Sequence, residues 1–144
     1  MNEYFPLGAK AKLYFGDAGA ALSNLTELDN VKDVTVNMDK GSADTTTRAN
    51  QGFRSETPTL KEVQIECEIQ FKINDAAYTA LRDAWLNDTP LRLAALTGDR
   101  TESGSEGPMG DFGIKTFNRS EPLEDTIKVS VTATLMVWDS WVVV

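Results

Sequence analysis

The sequence predicts a mainly β domain, sandwich- or barrel-like, with one α-helix flanking its sheet. Three observations carry that prediction. Over residues 62–73 polar and apolar residues alternate without exception, with Val63, Ile65, Cys67, Ile69, Phe71 and Ile73 in one phase. A period of two is that of a strand buried on one side. Residues 126–138 repeat the pattern, with Ile127, Val129, Val131, Ala133, Leu135 and Val137 in phase. Helical spacing is confined to residues 76–87, where Tyr78, Leu81 and Trp85 fall at i, i+3 and i+7 with Ala77 and Ala84 beside them. The 144 residues suit one domain spanning 1–144, enough for a real core and too few for two.

In chain order, a first strand is expected over residues 11–15 and a second over 31–38, where Val34, Val36 and Met38 share a face. The third is the run at 61–73, about 40 Å long at about 3.3 Å per residue. Asn74 or Asp75 is placed to cap the helix that follows, and Asp88-Thr89-Pro90 ends it. Strands at 91–97, 112–117 and 126–138 complete the list. In the last of these Met136 and Trp138 would make the outer face apolar as well. Two segments lack periodicity. Residues 39–59 hold one large apolar side chain, Phe53, and loops of that length in a domain are usually functional or ordered by a partner. Residues 98–110 form a Gly/Ser/Glu turn region with Gly104, Gly107 and Gly110 at intervals of three, without the Lys-Ser/Thr or βαβ setting of a phosphate loop.

Charge narrows the function classes. Twenty-two Asp and Glu against 14 Lys and Arg give a net charge of −8, with no histidine. Non-specific nucleic-acid binding rests on cationic neutralisation of phosphate, so tight wrapping of DNA or RNA is not expected. The missing histidine removes the commonest general base and most zinc and haem sites. Cys67, the single cysteine, cannot close an intramolecular disulfide. The N-terminal MNEYFPLGAKAKLYFG lacks a basic region followed by an apolar run, which predicts a soluble protein made in the cytosol with no membrane anchor. The Asn-X-Ser/Thr matches at Asn24, Asn87 and Asn118 then carry no role.

No catalytic, cofactor or metal site is expected. Glu62, Glu66 and Glu68 share a strand face, but with Gln64, Gln70 and Lys72 among them they read as a wet acidic surface, not as a catalytic carboxylate pair. Asp39, Gly41 and Asp44 do not have calcium-loop spacing. Cys67 sits in phase with Ile65 and Ile69 and reads as core. Arg48, Phe53 and Arg54 in the long loop are candidate subunit contacts, the arginines being either solubilising charges or contacts to an acidic partner surface. Residues 136–144 place two Trp and four Val at a chain end, where fraying is expected, and this apolar, β-prone segment is a hazard if left bare. Either the segment folds back into its own core or another subunit covers it; the second reading is preferred and makes Trp138 and Trp141 inter-subunit candidates as well.

The stretch VKDVTVNMDKGSADTTTRANQGFRSETPTLKEVQIECEIQF, followed by AAYTALRDAWLNDTPLRLAAL and later by NRSEPLEDTIKVSVT, resembles the tail tube (major tail) proteins of tailed bacteriophages and prophages. The resemblance runs from about residue 31 to 134. It implies a tail-tube fold, hexameric rings whose strands join into an inner β-barrel, and rings stacked into a hollow tube that passes DNA without binding it specifically. It also implies that residues 39–59 order when one ring meets the next, while the reading of residues 136–144 as an interface tail rests on their own composition. Partners would be other copies of the chain and further tail proteins: a terminator, a baseplate or tip, and a sheath if the tail contracts. The chain would lie in the virion tail after assembly in the host bacterial cytoplasm. The tube protein of type VI secretion shares the architecture, so an injection device is a close variant. Under this reading Glu62, Glu66, Glu68, Ser130, Thr132 and Thr134 face the lumen. The alternative is a monomeric β-sandwich binding module using Trp138, Trp141 and the 98–110 segment.

Overall fold

The computed structural model describes residue 5 and residues 7–144. Seven strands form one antiparallel sheet. They are β1 (Lys12–Asp17), β2 (Thr26–Glu27), β3 (Val31–Asp44), β4 (Glu56–Gln70), β5 (Leu91–Leu96), β6 (Glu106–Ser120) and β7 (Lys128–Val143), with the helix α1 (Ala76–Asn87) between β4 and β5. The order across the sheet is β2-β1-β5-β6-β7-β4-β3. The sheet must therefore curl. Its two outermost strands, β2 and β3, are joined by residues 28–30 alone. A link of that length reaches about 14 Å at most, whereas the edges of a flat seven-stranded sheet stand about 29 Å apart. Hydrogen bonds hold the approach: the Gln70 N–H donates to the Asn30 carbonyl at 3.0 Å, and Asn30 Nδ2 donates to the Gln70 carbonyl at 2.7 Å. The chain is mainly β with one flanking helix, as its alternation predicts.

Two cores result. The larger gathers the apolar phases of β4 and β7 (Val63, Ile65, Ile69, Val129, Val131 and Ala133) with Phe112, Leu13, Leu93 and the helix residues Ala77, Leu81 and Ala84. The smaller lies on the opposite face of β1 and β5 and joins Tyr14, Leu25, Ala94, Leu96 and Met109. β5 is buried on both faces along its whole length. Asp75 is the helix cap, its carboxylate accepting from the Ala77 N–H at 3.2 Å. The buried stripe of α1 is Ala77, Leu81 and Ala84, so Trp85, expected on that stripe, stands instead on its shoulder and is exposed.

Three expectations change. Residues 39–59 are not a structureless loop: β3 and β4 stay paired out to Asp44 opposite Glu56, and only residues 45–55 are a connection. The ladder there is held by backbone bonds with both faces in water, so no hydrophobic period marks it. The 98–110 segment is likewise half strand, because β6 begins at Glu106. The chain end does not fray: β7 pairs with β6 through Val143 opposite Glu106, and the Val144 N–H donates to the Ser105 carbonyl at 2.9 Å.

Candidate functional site

A continuous polar surface covers one side of a four-stranded portion of the sheet, β3-β4-β7-β6. Register sets its membership. On β4 and β7, Glu66 lies opposite Thr132, Glu68 opposite Ser130 and Gln64 opposite Thr134. Continuing outward, Asp33, Thr35, Asn37 and Asp39 of β3 face Glu68, Glu66, Gln64 and Glu62. On the other flank Thr116 and Asn118 of β6 pair with Thr132 and Ser130. Glu62, Glu66 and Ser130 are exposed, and Glu68, Thr132 and Thr134 half-buried, so all six lumen candidates share one face. The acids of β3 were missed as members, although the phase of Val34, Val36 and Met38 already implied them. Asn37 Nδ2 donates to Glu66 Oε2 at 3.2 Å. At one end Lys128 binds Asp125 at 3.0 Å, which holds the Asp125 carboxyl below its ordinary range and lifts the Lys128 ammonium.

Both margins of this portion are open. β3 is the last strand of the sheet. β5 pairs with β6 only as far as Phe112, which leaves Gly113 to Ser120 with a partner on one side alone. Unpaired N–H and C=O groups along a margin are templates for another strand.

Beyond Val63 the β3–β4 pair continues as a two-stranded arm. The arm tip carries Arg48, Phe53 and Arg54, all exposed. It is internally bonded: Thr45 and Ser55 hydroxyls lie 2.9 Å apart, and Gln51 and Gly52 take φ of 55° and 81° to turn the chain. The Thr46 hydroxyl and N–H hold the Asp44 carboxyl below its ordinary range.

Trp138 and Trp141 stand elsewhere, at the arm's base. Strict alternation would put Trp138 on the face of Thr134. Register shifts in the β6–β7 ladder leave Met136 and Asp139 unpaired, and each extra residue flips the phase. Trp138 and Trp141 thus join Leu135, Met38 and Val63 around a groove of about 720 Å³, which Asp39, Lys40, Lys61 and Glu62 of the arm's base line as well. Trp141 Nε1 donates to Glu106 Oε1 at 3.2 Å.

A further feature lay beyond the reach of periodicity. Arg92 is buried within β5, its Nε donating to Asp111 Oδ1 at 2.9 Å and its Nη1 to the Ala20 carbonyl at 3.0 Å, with Asp139 at 3.4 Å. Burial alone would raise the Asp111 carboxyl, but bonds from Arg92 and the Gly19 N–H outweigh it and leave that carboxyl below its ordinary value. The network ties the segment between β1 and β2 to the sheet. Arg100 ties the same segment again, donating to the Leu22 and Leu25 carbonyls. Cys67 is half-buried on the core side, and burial pushes its thiol up to about 12. Among the described residues no group of three acidic, cysteine or histidine side chains is placed to hold a metal ion, and no helix is long and apolar enough to cross a membrane.

Comparison with known proteins gives this surface its setting. No curated protein matches the chain significantly. By structure the chain is similar to one in the virion of a native gene transfer agent particle, with a TM-score of 0.71 at 10% identity over 96% of this chain and 98% of that one. It is similar to a chain in the tail of an empty gene transfer agent particle of C6 symmetry, with a TM-score of 0.71 at 11% identity over 96% and 98%. It is also similar to the SPP1 tail tube, with a TM-score of 0.71 at 16% identity over 93% and 80%. These likenesses show the fold. In sequence, residues 8–136 match the family described as phage tail tube protein, and with nearly the whole chain inside that match, the chain belongs to the phage tail tube protein family.

Proposed function

We propose that this tail tube subunit closes into six-membered rings whose inner wall is the β3-β4-β7-β6 face, and that the rings stack into a conduit through which DNA slides. The chain's family is a structural one, a component of the phage tail. The observation that carries the finer reading is the acidic four-stranded face bounded by two open edges. Because neighbouring strands are antiparallel throughout, β3 and β6 at the two margins of a four-stranded unit run in opposite directions. Rotation about a ring axis preserves direction along that axis. Successive copies would therefore bring β3 beside β6 antiparallel, and the ladder closes without a parallel defect.

Six copies of four strands give roughly 24 strands, and at about 4.8 Å spacing and about 40° tilt a backbone diameter of roughly 48 Å. Side chains leave room there for a double helix. The C6 symmetry of the related gene transfer agent tail supports that ring size. DNA carries one charge per about 1.7 Å, so an anionic wall offers it no grip. The arm, with Arg48, Phe53 and Arg54 at its tip, is assigned to the contact between rings, and the groove of Trp138 and Trp141 to contact within them. Terminator and baseplate or tip proteins, with a sheath if the tail contracts, remain the further partners, in a virion tail built in the host cytoplasm.

Electron microscopy of purified protein tests this: six-fold rings or tubes are expected. Compact monomers at every concentration by sedimentation would overturn it.

A further inference from the structure

We propose that α1 of one subunit serves as a lid over β3 of the next, with Trp85 and Leu86 covering the stripe of Val34, Val36 and Met38. The proposal rests on the ring reading and adds to it the partner of two exposed apolar surfaces.

The first surface is an anomaly of register. Val34, Val36 and Met38 lie opposite Cys67, Ile65 and Val63, whose side chains point into the larger core. They continue that apolar face onto the margin, yet stand 38%, 36% and 52% exposed. Among the described residues none buries them, and Met38 also borders the groove of Trp138 and Trp141. The second surface is on the helix. Its inner stripe is buried, but Trp85 and Leu86 in its last turn are 44% and 60% exposed.

The position of α1 connects the two. The helix packs over β6 and β5 on the core side of the sheet. Its Tyr78 ring meets Phe117 at 5.4 Å, and the Tyr78 hydroxyl accepts from Arg119 Nη1 at 3.3 Å. Both contacts fall on the stretch of β6 that β5 leaves open. A strand added there would lie about 4.8 Å away, well within the overhang of a helix about 10 Å wide. Level agrees as well. Register carries Val34 through Cys67 and Val131 to Phe117, and Val36 through Ile65 and Ala133 to Ile114, so these two valines stand level with the open stretch of β6 and Met38 lies just past its end. A neighbour's β3 reaches that level when the stagger that closure imposes on tilted strands keeps it within the span of α1, and its apolar face then lies beneath the helix.

Crosslinking between singly substituted chains tests the lid. In a Cys67→Ala background, Val36→Cys protein is mixed with Leu86→Cys protein, co-assembled, and treated with a short bismaleimide; Met38→Cys with Trp85→Cys is the second pair. Covalent dimers are expected from each mixture, and none from either protein alone. Rings visible by electron microscopy without crosslinked dimers from either pair would overturn the lid and leave the ring reading standing. Absence of rings in the Cys67→Ala parent would overturn both. Trp85→Asp should raise the concentration needed for half-assembly by about tenfold or more, as for the loss of a buried interface tryptophan. Its monomer should melt with the parent's.

Discussion

Arg92 shows what one residue contributes when it is buried with its partner. Taking either charge away leaves the other stranded in the smaller core, at a cost of about 3 kcal/mol. Asp111→Asn is therefore expected to lower the free energy of unfolding by about that amount at neutral pH. The pH dependence has a definite sign. The folded Asp111 carboxyl lies below its ordinary value, so its contribution is complete above about pH 4 and is lost as pH falls through the folded value. Urea unfolding of the wild type and Asp111→Asn between pH 2 and 7 should give curves that converge at acid pH; parallel curves would refute the assignment. Cys67 supplies a second residue-scale test. Burial pushes its thiol up to about 12, which keeps it protonated at pH 8. Maleimide labelling should be slow in native protein and fast in urea, and equal rates would place Cys67 in water.

Among the elements, those legible in the sequence are the ones buried on one face. β4 and the first half of β7 announce themselves because water on one side and core on the other imprint a period of two. The arm escaped because both of its faces are wet, so its pairing leaves no trace in hydropathy. The start of β6 escaped because its glycines look like loop: a Cβ on Gly107 would come within 1.6 Å of the Ala95 carbonyl oxygen, so glycine there marks close approach of β5, not flexibility. The end of β7 was misread in phase because bulges leave no compositional signature. That phase now separates two side chains. Val142 packs on the smaller core and Trp141 lines the outer groove. Val142→Asp should cost the monomer about 2 to 4 kcal/mol in a denaturant titration, whereas Trp141→Ala should leave monomer stability nearly unchanged and weaken assembly. The reverse pattern would place Trp141 in the fold. The arm gives a further separation. A lone two-stranded ribbon is marginal in water, so residues 45–55 should exchange amide hydrogens rapidly in free subunits and slowly in tubes. Replacing them with Asn-Gly should leave rings that do not stack, and full-length tubes from that variant would remove the arm from the ring contact.

For the whole molecule the decisive quantity is the sign of the charge on one face. Aggregate charge alone does not separate a slippery wall from an ordinary solubilised exterior, since either would be served by −8. Location separates them. Glu62, Glu66 and Glu68 belong to one ladder face, where Asp33 and Asp39 of β3 extend the anionic field across the neighbouring strand. Converting the three glutamates to lysine leaves the apolar side of β4, and therefore the fold, untouched. Repeated around a ring, the change converts an anionic wall into a cationic one at closely spaced heights. Counterion release then makes binding steeply salt-dependent, with a log–log slope of about −0.9 per phosphate neutralised. Tubes of the triple variant should therefore retain short duplex DNA in co-sedimentation at low salt and release it as salt rises, while wild-type tubes retain none at either. Equivalent lysines placed on the exposed side of α1, at Thr79 and Asp83, provide the control, because DNA held there would be open to nuclease and DNA in a lumen would be shielded. Retention that is nuclease-sensitive in the triple variant would put the β4 carboxylates on the outside of the assembly.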